Sequence, residues 1–300
     1  MSKFIISIVG PTAIGKTALS LDLAEYFNAP ILSADSRQFY KEMRIGTAVP
    51  STAELARAEH YFIQHTSVLE PYSVGDFEHD AIGTITRLHE HQDIIIMVGG
   101  SGLYVDAVTK GLNDFPEIDP KIRLRLNDQL TNDGLNSLQE QLKQLDLEAY
   151  ETLDINNPHR VIRALEVNLG TDRSFTYYKN QPKPKRAFQT LQIGLTAERA
   201  IIYDRINKRV DLMMANGLLD EVRSLTSYKH VNALNTVGYK ELFKYLDGYW
   251  DLEMAVSEIK KNTRRFAKRQ LTWFKKDTST KWFDFETPVE PILEYIKGRL

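Results

Sequence analysis

Three hundred residues are enough for one large domain or two modest ones with a self-sufficient core, and 42% hydrophobic with 26% charged residues is ordinary globular composition. The absence of cysteine excludes disulfides, thiolate metal sites and a cysteine nucleophile, and fits a reducing compartment. A formal net charge of −2 excludes a general polycation, so any anionic partner must be met by a local field.

The chain opens with one lysine and a short apolar run that meets Gly10-Pro11. That run is too short for a signal-peptide core, and no stretch approaches the ~20 apolar residues of a membrane span. A cytoplasmic protein without membrane contact is expected. Phe4–Val9 reads as a buried strand, followed by a Gly-rich turn and a helix over Ala18–Phe27. Ile31-Leu32-Ser33 reads as a second short strand, and Ile94–Val98 as another that runs into Gly99-Gly100-Ser101-Gly102.

From Pro116 to about Arg186 the sequence turns charged and helix-favouring, with prolines at both edges (Pro116, Pro120 and Pro182, Pro184). This predicts a helical insertion over 117–186 in a core made of 1–116 and 187–300. Leu191–Leu195 reads as a strand. The periodic Ile202, Ile206, Val210 and Met213 read as a helix that stops at Gly217. Alternating strands and helices give an α/β fold with a parallel sheet. Between Ser257 and Lys276, eight cations (Lys260, Lys261, Arg264, Arg265, Lys268, Arg269, Lys275, Lys276) stand against one acid, Glu258. A stripe of that kind is either a solvated face or an RNA-backbone surface, and the neighbouring Trp273 and Phe274 favour RNA.

Gly10-Pro11-Thr12-Ala13-Ile14-Gly15-Lys16-Thr17 matches G-x-x-x-x-G-K-[ST], with a strand before it and a helix after it. In such a P-loop the backbone N–H groups, the lysine and the helix dipole cradle a di- or triphosphate, and the threonine hydroxyl reaches Mg²⁺. Nucleotide-binding, ATP-binding included, is an expectation the motif raises, but a P-loop does not by itself say ATP. Ordinary P-loop ATPases also carry an Asp at the end of a second apolar strand. Here Ile94–Val98 has its acid, Asp93, before it and glycines after it, so the hydrolytic arrangement is not evident.

Further strings follow in order: Asp35-Ser36-Arg37-Gln38, Gly46-Thr47-Ala48-Val49-Pro50, Gly99 to Tyr104, Asn157-Pro158-His159-Arg160-Val161-Ile162-Arg163, Arg209 to Met213, Gly217 to Glu221, Gly238 to Glu241, and Lys268 to Phe274. With the P-loop they resemble the tRNA dimethylallyltransferase (tRNA isopentenyltransferase) family over positions 10 to 274. Ser101 stands where that family usually has threonine, and Val49 where lysine is common. The resemblance implies a P-loop-type core. It also implies transfer of a dimethylallyl group from dimethylallyl diphosphate to the exocyclic amine of the adenosine 3′ of the anticodon, with Mg²⁺ as cofactor and diphosphate released.

By the same resemblance Asp35 is the base that takes the amine proton, with Ser101 and Arg123 as further catalytic groups. Gly10 to Thr17 and Arg209 would hold the diphosphate, and Thr17 the metal. Asp35, Ser36, Arg37, Gln38, Ser101, Arg123, His159, Arg160, Val161, Ile162, Arg163, Lys268 and Arg269 would contact the tRNA anticodon stem-loop. Gln38 could pair bidentately with adenine. By residue type alone, Asp35 is equally a turn residue and Arg123 an exposed helix charge. Arg205 and Arg209 form either a phosphate clamp or a solvated stripe, and Glu166, about one turn beyond Arg163, offers a competing ion pair. The protein is expected to act as a monomer. The alternative is a P-loop kinase acting on a nucleotide or small molecule, which leaves the basic segment and the Asp35 loop unexplained.

Overall fold

The computed structural model describes residues 3–300. Six parallel strands form one sheet: β1 (Phe4–Val9), β2 (Ile31–Ser33), β3 (His60–Tyr61), β4 (Ile94–Val98), β5 (Gln189–Thr196) and β6 (Lys281–Asp284), in the order β3-β2-β4-β1-β5-β6. The central strand is apolar almost throughout because both of its faces are covered. Ile6 and Ile8 pack with Leu19, Leu23 and Ile206, while Ile5 and Val9 pack with Leu32, Phe77 and Ile95 on the other side. The four strands expected from sequence are present. The two that were not read, β3 and β6, are short edge strands of two and four residues, too brief to show periodicity.

β1 lies between β4 and β5, so the chain reverses its direction of spread across the sheet there. Ligands of open parallel sheets bind outside the carboxyl ends of the strands at such a switch point. Three loops emerge at that edge: Gly10 onward after β1, Ala34-Asp35 after β2 and Gly99-Gly100 after β4. They are drawn close, because a Cβ on Gly99 would sit 2.4 Å from the Ala34 carbonyl oxygen. A backbone oxygen cannot step aside as a flexible side chain can. Gly99→Ala is therefore expected to destabilise the fold by roughly 1–3 kcal/mol, read as a lower thermal midpoint. An unchanged midpoint would mean that the two loops can part freely.

Residues Lys110–Lys185 form a second compact unit, and the chain before and after them forms the first. The second unit is helical, with helices at Pro120–Asp133, Leu135–Leu145, Leu147–Thr152, Pro158–Gly170 and Phe175–Lys179. Asp119 and Asn157 cap two of these helices at Lys121 N and His159 N, each with proline at the start. Leu126, Leu138, Leu142, Val161 and Leu165 make its core. It begins seven residues ahead of the 117 expected from the prolines, and side-chain contacts explain why. Asn113 donates to the carbonyls of Lys179 and Gln181, and Phe115 stacks on Phe175, so the preceding loop belongs with the helices.

In the first unit the helix Arg199–Ala215 buries Ile202, Ile206 and Val210 and ends before Gly217, as its periodicity requires. The 23-residue helix Leu252–Phe274 carries the basic segment outside and Ala255, Ile259, Ala267, Gln270 and Phe274 inside. Among the described residues no helix is long and apolar enough to cross a membrane.

Candidate active site

The P-loop joins β1 to the helix Lys16–Phe27 and lines a cavity of about 430 Å³. The wall holds Thr12 to Thr17 together with Asp35, Gln38, Arg205, Lys208, Arg209 and Gln270. Four of these side chains are cationic and one is acidic. Lys208 is paired with Asp204 at 2.8 Å, and Arg205 Nε donates to the Ala13 carbonyl at 2.7 Å. Arg205 is therefore tied to the P-loop itself rather than freely solvated.

Lys16 and Arg209 form no carboxylate ion pair among the described residues. Burial, and then the Arg209 guanidinium, lower the Lys16 ammonium to about 7, with Asp35 opposing both. Arg209 is likewise lowered by burial, with Asp35 pulling it back. Lys16 Nζ donates to the carbonyls of Pro11 (2.7 Å) and Gly10 (3.1 Å). Two half-buried cations facing one carboxylate make a site short of negative charge, a setting that suits an anion.

A second cavity of about 310 Å³ shares Thr12, Asp35, Arg209 and Phe266 with the first and adds Ser36, Arg37, Gly46, Thr47, Ser101 and Arg269. Asp35 thus stands on a wall common to both. Its Oδ1 accepts from Arg37 N at 3.0 Å, a tight local turn that fixes the carboxylate. Ser101 Oγ accepts from Ser36 N at 3.1 Å and lies 3.0 Å from Ser36 Oγ, joining the β4 loop to the β2 loop. Arg37 is held by the Ala233 carbonyl at 3.1 Å. The Gly46-Thr47 edge is fixed from below. Glu221 accepts from Arg44, Ile45 and Gly46 N and from the Tyr239 hydroxyl, which accounts for the motifs around Glu221 and Tyr239 as scaffolding.

Several residues singled out in the sequence are engaged otherwise than expected. Gln38 accepts from Ser33 Oγ at 3.0 Å and donates to the Ala48 and Thr47 carbonyls, so its carboxamide is not free to pair with adenine. In the helical unit, Arg123 forms two 2.6 Å hydrogen bonds to the buried Glu166, which also takes Arg163 at 3.3 Å. Val161 and Ile162 are core residues, 0% and 4% exposed, so only His159, Arg160 and Arg163 of that segment present side chains outward. Phe274 is also in the core and cannot stack on a base, and Trp273 donates to Asp106 at 2.9 Å. In the basic helix Lys260 pairs with Asp211 and Lys261 with Glu258, and Arg264 is held by Asn207. Lys268 and Arg269 remain exposed.

Gln270, which sequence reasoning quoted without a role, is 5% exposed. It accepts from Thr12 N at 2.8 Å and donates to the Gly100 carbonyl at 2.9 Å. Its spacing from Ala267 and Phe274 puts it on the apolar face, the signal that could have found it.

The IPP transferase family model matches residues 38–277. A tRNA dimethylallyltransferase of Christiangramia forsetii is 58% identical over 300 residues, covering 100% of this chain and 99% of its own. One from Flavobacterium johnsoniae is 53% identical, covering 99% and 98%. Among solved structures, a full-length tRNA isopentenylpyrophosphate transferase of Bacillus halodurans is similar at 38% identity and TM-score 0.74, covering 99% of this chain and 96% of that one. A eukaryotic dimethylallyltransferase acting on tRNA is similar at 25% identity and TM-score 0.85, covering 100% and 81%.

Proposed function

This chain belongs to the IPP transferase family, and on that premise we infer that it transfers a dimethylallyl group from dimethylallyl diphosphate to the exocyclic amine of an adenosine beside the anticodon of tRNA. The observation that carries the reading is Asp35, standing on the wall shared by a cationic P-loop cavity and a second cavity lined by Ser36, Ser101 and Arg269. The donor's diphosphate fits the first and the acceptor base the second.

The amine nitrogen attacks the allylic carbon as the carbon–oxygen bond to diphosphate breaks. An adenine amine is a weak nucleophile because its lone pair is delocalised into the ring, so a base that takes its proton as the bond forms aids the step. Asp35 takes that proton. Negative charge grows on the departing diphosphate, where Lys16 and Arg209 stabilise it more in the transition state than in the ground state. Ser101 holds Asp35's loop through Ser36.

The donor set suits Mg²⁺. Thr17 offers a hydroxyl oxygen to the cavity beside the phosphate-binding backbone. That fits a hard cation completed by phosphate oxygens and water. Bound there, the metal would neutralise charge on the leaving group. The helical unit, through His159, Arg160 and Arg163, and the exposed Lys268 and Arg269 are proposed to hold the anticodon stem-loop of tRNA, with the protein acting as a cytoplasmic monomer.

Incubation with unmodified tRNA, Mg²⁺ and either labelled dimethylallyl diphosphate or labelled ATP tests the reading. Label is expected in tRNA from the prenyl donor alone, and phosphate transfer from ATP would replace it with the kinase. For the RNA surface, Lys268→Ala with Arg269→Ala should reduce the slope of log affinity against log salt by about 1 to 2. An unchanged slope would return both residues to solvent.

A further inference from the structure

Gln270 hydrogen-bonds both the P-loop and the loop that follows β4. It is a neutral carboxamide, buried, on a helix whose adjacent residues Lys268 and Arg269 are exposed. Its Oε1 accepts from the P-loop at Thr12 N, and its Nε2 donates to Gly100 O, one residue before Ser101. Ser101 in turn is bonded to Ser36, next to Asp35. A continuous path of three hydrogen-bonded links thus runs from the phosphate loop to the general base's loop, with no salt bridge in it.

Two features mark the contact as specific. Thr12 N would otherwise be one of the P-loop amides free for a phosphate, yet it is given to a side chain 258 positions away. Gly100 has to lack a side chain for the contact to form, because a Cβ there would lie 2.2 Å from Gln270 Nε2 and 3.9 Å from Lys16 Nζ. A carboxamide satisfies one donor and one acceptor at once. A carboxylate, an ammonium or an alkyl group of similar size leaves at least one of the two unsatisfied.

We propose that Gln270 is a positioning residue that sets the spacing between the donor loop and the acceptor loop and couples occupancy of one to affinity for the other. The proposal rests on the transferase reading. tRNA drawn to Lys268 and Arg269 loads the same helix that carries Gln270, so acceptor binding biases the P-loop through Thr12. Coupling of this kind is reciprocal: donor and tRNA each tighten the other by the same factor. Misplacing the two loops by an ångström is enough to cost on the order of 10²-fold in rate.

The experiment compares wild type, Gln270→Met, Gln270→Glu and Gly100→Ala. Gln270→Met keeps length without hydrogen bonds. Gly100→Ala attacks the same contact from the other end, so the result does not hang on one variant folding. Single-turnover transfer, donor affinity and tRNA affinity are measured, the last with and without a non-reactive thio-analogue of the donor. In the wild type, the analogue is expected to tighten tRNA several-fold. In Gln270→Met and Gly100→Ala that factor should fall to about one, with transfer slowed by roughly 10- to 100-fold and tRNA affinity alone within about threefold. Gln270→Glu, which still accepts from Thr12 N, should fall between. The double variant Gln270→Met with Gly100→Ala should be no worse than either single one. Wild-type coupling retained in both single variants, or a wild type with no coupling at all, would overturn the proposal. Absence of transfer by the wild type itself would instead overturn the transferase reading, so the two failures are separable.

Discussion

Replacing Asp35 by alanine is expected to slow transfer by about 10²–10⁴-fold while leaving tRNA affinity within a few fold. The carboxylate is the acidic group in the P-loop cavity, which also holds Lys16, Arg205, Lys208 and Arg209, and it also lines the cavity proposed for the adenosine. Its removal has a second effect with the opposite sign. Asp35 raises the Lys16 and Arg209 pKa values, so it is an attractive partner for both cations and a repulsive one for an incoming diphosphate. Donor affinity in Asp35→Ala should therefore be equal to wild type or tighter, even as the rate collapses. A loss of rate with unchanged or improved ground-state binding identifies an interaction made in the transition state.

Asp35→Asn is the companion variant, because an amide oxygen can still accept from Arg37 N and keep the turn in place. It should be as slow as the alanine variant. If asparagine restores more than a tenth of the rate, the residue holds the loop rather than the proton. Rapid-quench kinetics with saturating donor and tRNA reads all of these values.

The site was legible in the sequence where chemistry and backbone shape coincide. Gly10 to Thr17 is a local pattern, and a strand-end loop such as Asp35-Ser36 must face the crevice of a parallel sheet, so local sequence places both. Side-chain engagement was not legible, because it depends on which neighbours the fold brings together, whether near or far along the chain. Nothing near Gln38 says that its carboxamide closes on Ser33, Thr47 and Ala48. The pairing of Arg123 with Glu166 crosses 43 positions, and that of Thr12 with Gln270 crosses 258. The basic helix shows the same limit: a stripe of cations every four residues reads as one surface, yet Lys260 and Lys261 are neutralised by Asp211 and Glu258. Edge strands failed for a different reason, since β3 has only two residues and neither is buried.

Lys16→Ala is expected to cost about 10²–10³-fold in transfer, the usual loss when one preorganised stabiliser of developing charge is removed. The pH dependence separates this lysine from a generic positive charge. In the free protein its ammonium is lowered to about 7, chiefly by burial and then by Arg209. A bound diphosphate adds the missing negative charge and raises that value, so binding takes up a proton whenever the pH exceeds about 7. Donor affinity should then fall by up to tenfold per unit as pH climbs from 7 towards the bound-state value, and be insensitive to the titration of Lys16 below 7. Calorimetry in buffers of different ionisation enthalpy counts the proton directly. In Lys16→Arg the side chain stays charged throughout, and the uptake should vanish.

The sign for folding is the reverse of that for binding. A lysine whose folded value lies below its unfolded one carries a penalty that is absent above the unfolded value of 10.5, grows as pH falls, and is complete below about 7. Lys16→Met, which removes the buried charge, should therefore raise the thermal midpoint of the free protein by a few degrees at pH 7 while abolishing its advantage at pH 11. The bonds from Lys16 to the Gly10 and Pro11 carbonyls work against that gain. Should the midpoint drop instead, those bonds outweigh the dehydrated charge, and the lysine is a strut of the empty loop before it is a ligand for the donor.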